Sequence, residues 1–102
     1  MIYMEKSQDG DKINIKLKGK ITFENTGEIR EKMKEILRND EIKHLVIDME
    51  EVSFVDSSGL GLLVSIKNTM IRKDGTFSMV NLSDTVRKIM KQTGLDRYFG
   101  IK

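Results

Sequence analysis

Asp56, Ser57 and Ser58 stand side by side in the stretch FVDSSGLGLL (residues 54–63), and Gly59 and Gly61 follow, set between leucines. A carboxylate, two hydroxyls and two glycines in six positions can serve several chemistries, each with further requirements. A serine nucleophile on a strained elbow needs glycine two positions before it and two after. Ser57 has Val55 and Gly59 there, and Ser58 has Asp56 and Leu60, so neither fits. The base would have to be His44, the single histidine, which opens the apolar run 45–47 and reads more simply as a strand-edge residue. A dinucleotide cradle would want its third glycine where Val64 stands, and a P-loop would want Gly-Lys-Ser/Thr. A helix N-terminus still favours an anion through its free amides and dipole. That leaves room for weak nucleotide binding but gives no support for turnover.

Two further readings remain. Asp56 ends an apolar strand, where the phospho-accepting aspartate of a receiver domain would sit. The acidic pair that such a domain needs after its first strand is missing, because Ser7-Gln8-Asp9 falls in a hairpin turn. The plain structural reading makes the serine a helix cap and the glycines sites of close approach. Two glycines in the first turns of a helix cost roughly 1 kcal/mol each relative to alanine. Something must come near the backbone there, either the protein's own sheet or a partner.

The elements that would position this stretch follow from hydrophobic spacing. Ile13, Ile15 and Leu17 alternate with Asn14, Lys16 and Lys18, a strand with one wet face. Ile2 and Met4 alternate likewise, and Asp9-Gly10 supplies a turn, so the chain opens with a hairpin whose second strand ends at Gly19. Residues 23–38 change to helical spacing, with Ile29, Met33, Ile36 and Leu37 on one stripe and Asn25 and Glu28 placed as a capping box. Leu45, Val46 and Ile47 predict a central strand covered on both faces, its core continued by Val52, Phe54 and Val55. From Ser57 to about Arg72 a broad apolar surface (Leu60, Leu62, Leu63, Val64, Ile66, Met70) predicts a helix buried on more than one side. A strand over Thr76–Leu82, a helix capped by Ser83 or Asp84 and stopped by Gly94, and a terminal helical segment complete the order β-β-α-β-α-β-α-α. The fold class is α/β: a mixed sheet of four to five strands, opening with a hairpin and packed against about four helices.

Composition narrows the function. The 102 residues make one domain, and a net charge of +2 with lysines interleaved among acids forms no basic stripe for nucleic acid. The absence of cysteine excludes disulfides and thiol chemistry, and one histidine excludes metal sites built from several His or Cys ligands. No apolar run approaches the ~20 residues of a membrane span, and MIYMEKSQDG is unlike a signal peptide. A cytoplasmic address without membrane association is the expectation.

The segments KHLVIDMEEVSF, VSFVDSSGLGLL, GTFSMVNLSDTVRKIM and TGLDRYFGI together resemble the STAS-domain anti-sigma factor antagonists, over essentially the whole chain and in the same order. The resemblance implies a single STAS domain over residues 1–102, acting as a switch and not an enzyme, with no cofactor of its own. Unphosphorylated members bind an anti-sigma factor that is also a serine protein kinase, and so release the sigma factor. The kinase uses ATP to phosphorylate the serine directly after the aspartate, here Ser57, and the complex dissociates; a serine phosphatase resets it. The partner contacts implied are Thr22, Phe23 and Asn25 before the first helix, Asp56, and Ser58, Gly59, Leu60 and Gly61. For Asp56 the residues favour local bonding to helix amides, for Gly59 and Gly61 close packing alongside partner access, and for Leu60 a core place. In GKIT (19–22) this chain departs from the family, with Thr22 where many members carry aspartate and Lys20 where acids are common. A non-phosphorylated STAS scaffold, or a module sensing a nucleotide or other ligand, is the alternative that this departure keeps open.

Overall fold

The computed structural model describes residues 2–101. Along the chain run β1 (Tyr3–Asp9), β2 (Lys12–Ile21), α1 (Thr26–Leu37), β3 (His44–Val55), α2 (Ser57–Arg72), β4 (Thr76–Val80), α3 (Asp84–Gln92) and α4 (Leu95–Tyr98), the order that the periodicities predict. Four strands form one mixed sheet ordered β1-β2-β3-β4, with β1 antiparallel to β2 and the other pairs parallel. The hairpin loop is Gly10-Asp11, with Gly10 at φ +62°; Asp9 still belongs to β1 and pairs with Lys12.

Strand register explains how the central strand feeds the DSSG junction. Ile13, Ile15 and Leu17 of β2 point into the core at strict period two, as read from the sequence, and Ile21 beyond them is buried in the same phase. On β3 the buried positions are Leu45, Ile47 and Met49, then Val52, then Val55, so the spacing lengthens from two to three. The cause is a pair of irregularities against β2, between Lys16/Lys18 and between Gly19/Lys20, each adding one residue to β3. The first shift turns Val52 inward and the second restores the original parity, so Phe54 faces outward opposite Lys20 and is 40% exposed. Its expected place in the core is corrected by this alternation. So is the expectation of cover on both faces, since Val46 and Asp48 are only half-buried and Glu50 is exposed. The outer face is polar: Lys16 reaches Glu50 and Glu51 at 3.3 and 3.2 Å, and Lys18 reaches Glu5 at 3.3 Å. Gly19 does not end β2 either. It takes φ +112° beside the second bulge, and the strand runs on to Ile21.

Helix α2 fills the centre of the single core. Leu60, Leu62, Leu63, Ile66 and Met70 are all buried there, with Ile29 and Met33 of α1 and Val86 and Met90 of α3 in the same cluster. Ser83 Oγ accepts from Val86 N at 3.2 Å and is the cap of α3. Phe99, following α4, packs its ring 5.8 Å from that of Phe77 on β4, which ties the C-terminal segment back to the sheet. Helix α1 begins at Thr26, three residues later than its spacing suggests, for a reason that lies in the site itself.

Candidate functional site

Asp56 joins two elements at the top of the sheet. Its backbone N–H donates to Ile21 O at the end of β2 (3.1 Å), and its own C=O accepts the first helical bond, from Leu60 N (2.9 Å). The carboxylate then divides its oxygens. Oδ1 accepts from Gly59 N at 2.9 Å and caps α2, while Oδ2 accepts from Phe23 N at 3.0 Å in the β2–α1 loop. The Gly59 amide is the main cause that holds the Asp56 carboxyl below its ordinary value of 3.8, with the Phe23 and Ser58 amides adding to it against partial desolvation. Asp56 is therefore ionised at neutral pH and fastens the loop to the helix start.

Residues 22–25 form a turn. Thr22 O accepts from Asn25 N and Thr26 N at 2.9 and 3.0 Å, Asn25 Oδ1 accepts from Thr22 N at 3.0 Å, and Asn25 Nδ2 donates to Lys20 O at 2.6 Å. Asn25 thus turns back onto β2, makes no cap bond to α1, and is 7% exposed. The capping-box expectation for Asn25 and Glu28 is corrected by this geometry. The turn is closed by an amide side chain although Thr22 supplies no carboxylate.

The hydroxyl-bearing residues sit where they can be reached. Ser57 and Ser58 occupy the first two helical positions of α2 and are exposed. Gly59 and Leu60 behind them are buried, Leu60 at 7%. A Cβ on Gly59 would stand 2.5 Å from Ile21 O and 2.7 Å from Val55 Cγ1, so this glycine lets the helix seat against the ends of β2 and β3. Gly61 is the opposite case: it is exposed, and a Cβ there would meet nothing within 4 Å. The expectation of close packing holds for Gly59 and is corrected for Gly61.

The residues named from sequence therefore divide. Phe23, Ser57, Ser58 and Gly61 lie at the surface around one helix start, with Thr22 and Asp56 half-buried at its edge. Asn25, Gly59 and Leu60 lie beneath that surface and hold it up. Phe23 is 72% exposed although its own amide is tied to Asp56, so the ring is displayed on a fixed backbone. Phe54 is an exposed aromatic at the end of β3, hidden in the sequence by its apolar neighbours Val52 and Val55 although alternation from Leu45 places it outward. His44 takes no part. It begins β3, at the opposite end of that strand from Val55, and its Nδ1 lies 2.8 Å from Thr76 Oγ1. No imidazole can activate Ser57.

Among the described residues no helix is long and apolar enough to cross a membrane. The STAS domain family model matches residues 3–102. An anti-sigma-B factor antagonist of Listeria monocytogenes is 31% identical over 97 residues, 95% of this chain and 84% of the relative. An anti-sigma F factor antagonist of Paenibacillus polymyxa is 24% identical over 81 residues, 79% of this chain and 69% of the relative. Among solved structures, the anti-sigma factor antagonist SpoIIAA in its unphosphorylated form superimposes with a TM-score of 0.78 at 25% identity, covering 98% of this chain and 99% of that one. A hairpin-led four-stranded sheet, a central helix opening on Asp-Ser-Ser-Gly, and these matches across the full fold lead to one statement: the chain belongs to the STAS-domain family of anti-sigma factor antagonists.

Proposed function

We propose that this protein antagonises an anti-sigma factor by binding it through the rim formed by Phe23, Asp56, Ser57, Ser58 and Gly61, and that phosphorylation of Ser57 ends the binding. The partner is a serine protein kinase. The Ser57 hydroxyl oxygen attacks the γ-phosphorus of ATP held by that kinase, ADP leaves, and the hydroxyl proton passes to the kinase's own base. A phosphatase returns the hydroxyl by hydrolysis. The chain itself contributes no catalytic group to either step.

The observation that carries this reading is an exposed hydroxyl at the first position of a helix whose next turn is buried and whose cap is tied to a neighbouring loop. A kinase substrate must supply accessibility without local unfolding, and this geometry does so. A phosphoryl group at that position brings nearly two negative charges, which the helix N-terminus partly offsets within the fold. In an interface it would have to be buried unpaired or push contacts apart. A penalty of about 3 kcal/mol weakens affinity roughly 100-fold, enough for an on/off response. Thr22 does not undo the scheme, because Asn25 closes the turn that holds Phe23 in place.

The test is reconstitution with the cognate anti-sigma kinase and ATP. One phosphate should be incorporated, lost in Ser57→Ala and retained in Ser58→Ala, and the phosphorylated protein should no longer co-elute with the kinase. Labelling that survives in Ser57→Ala, or a complex indifferent to the phosphate, would refute the proposal.

A further inference from the structure

Helices α1 and α2 leave a groove between them that the Ser57 rim does not use. Its volume is about 200 Å³, and its floor is Met33 and Leu37 from α1 with Leu62 and Ile66 from α2, each less than a tenth exposed. Along the α1 wall stand Arg30, Lys34 and Arg38, all exposed and each four residues from the next. At 1.5 Å of rise per residue the three cations form a row of roughly 12 Å on one side of the helix. Ser65 and Thr69 are the polar residues of the α2 wall, and no Asp or Glu lines the groove. Lys34 has an exposed partner in Glu31 at 3.7 Å, a pair of little energetic weight. Neither Arg30 nor Arg38 has a side-chain ion pair among the described residues.

The shape and the charge select an occupant. A small free ligand is bound well in a cleft of roughly 300–1,000 Å³ that encloses about 70–90% of its surface, and this half-open groove of about 200 Å³ falls short of that. A single anionic headgroup would also neutralise one cation and leave two unmatched. A row of cations at one-turn intervals beside an apolar strip matches a helix carrying acids at the same interval beside its own apolar strip. We propose that the α1/α2 groove docks an acidic amphipathic helix of a partner protein, with its acids on Arg30, Lys34 and Arg38 and its apolar ridge over Met33, Leu62 and Ile66. The site stands apart from Ser57 and holds whether or not that residue is modified.

The probe is a stapled helical peptide of about 15 residues, the length at which helices become self-sustaining, with glutamate at every fourth position beside a row of leucines. It is titrated into the intact isotope-labelled chain by NMR. Saturable amide shifts confined to residues 30–38 and 62–69 are expected. Affinity should fall about tenfold in Arg30→Glu/Arg38→Glu. It should also fall when salt is raised from about 0.1 to 1 M, which shortens the screening length from about 10 to 3 Å. The double variant should fold as the wild type does, since both side chains are exposed, and its NMR spectrum reports this directly. Absence of saturable shifts, saturation elsewhere on the molecule, equal binding of the same peptide with lysine for glutamate, or dodecanoate binding as tightly as the peptide would each overturn the proposal.

Discussion

Gly59 and Gly61 lie two residues apart at the start of the same helix, and alanine at the two positions should move stability in opposite directions. At Gly59 the added methyl would approach Ile21 O at 2.5 Å, Val55 Cγ1 at 2.7 Å and Ile21 Cγ2 at 3.0 Å. Ordinary contact begins near 3.4 Å, so helix and strand end must part by several tenths of an ångström. The Ile21 carbonyl cannot give freely, because it accepts from Asp56 N at 3.1 Å. Overpacking of this kind costs about 1–3 kcal/mol. Two approaches under 3.0 Å, one to a bonded carbonyl, place Gly59 in the upper half of that range, so after the intrinsic gain of about 1 kcal/mol from replacing glycine by alanine in a helix a net loss of about 1–2 kcal/mol remains. At Gly61 the same methyl meets nothing, and only the gain remains. With about 4–8 °C per kcal/mol for a domain of this size, Gly61→Ala should melt a few degrees above wild type and Gly59→Ala several degrees below. Urea unfolding followed by circular dichroism, with unchanged slopes, gives both values. A Gly59→Ala protein as stable as wild type would refute the claim that this glycine exists to seat α2 on the strand ends.

Phe23→Ala removes a ring that is 72% exposed, so stability should change by no more than about 0.5 kcal/mol; under the proposed function, affinity for the anti-sigma partner measured by calorimetry should drop at least tenfold. Because the folded pKa of Asp56 lies below its ordinary value, its stabilising contribution is complete above about pH 4 and is lost as pH falls through the folded value. Unfolding curves collected from about pH 2 to 7 should therefore show a shallower acid loss in Asp56→Asn, and identical pH profiles would count against the clasp. Lys73 Nζ donates to Leu37 O and Asn39 O at 2.9 and 3.0 Å and closes the C-terminal end of α1; Lys73→Met should cost about 1 kcal/mol and raise amide exchange in the last turn of α1 above that in α2.

What could be read from the chain beforehand was whatever obeys a fixed period. Ile13, Ile15, Leu17 and the α2 stripe repeat every two or 3.6 residues, so element order, the hairpin and the central helix were legible. Phe54 was misplaced because Val52, Phe54 and Val55 read together as continuous core, while the residue that alternation misses is Val52, turned inward between two bulges that carry no hydrophobic signature. Asn25 misled for a related reason. Asn-x-x-Glu satisfies a capping pattern locally, but the nearby Lys20 carbonyl and Thr22 amide take both ends of the side chain. Gly59 and Gly61 look identical in sequence, and only the placement of Ile21 behind one of them separates packing from exposure. Asp56 was legible as a cap, while its second bond to Phe23 joins residues 33 apart and could come only from the fold.

That second bond makes the rim a suitable place for a charge to act as a signal. An exposed aromatic on a free loop would lose entropy on docking, by about 1–2 kcal/mol for each backbone residue fixed. Here the loop is already held by Asp56 and by the Asn25 turn, so the backbone that carries Phe23 is fixed before any partner arrives. Under the proposed function, a partner shaped to that rigid rim would have little room to move aside when Ser57 gains a phosphoryl group, and the penalty would fall on the complex. The free protein is spared, since Ser57 faces solvent and its helix is anchored one turn further on by buried Leu60 and Leu63. Under that proposal rigidity would do two things at once: lower the entropic cost of binding the unmodified form, and prevent the interface from adapting to the modified one.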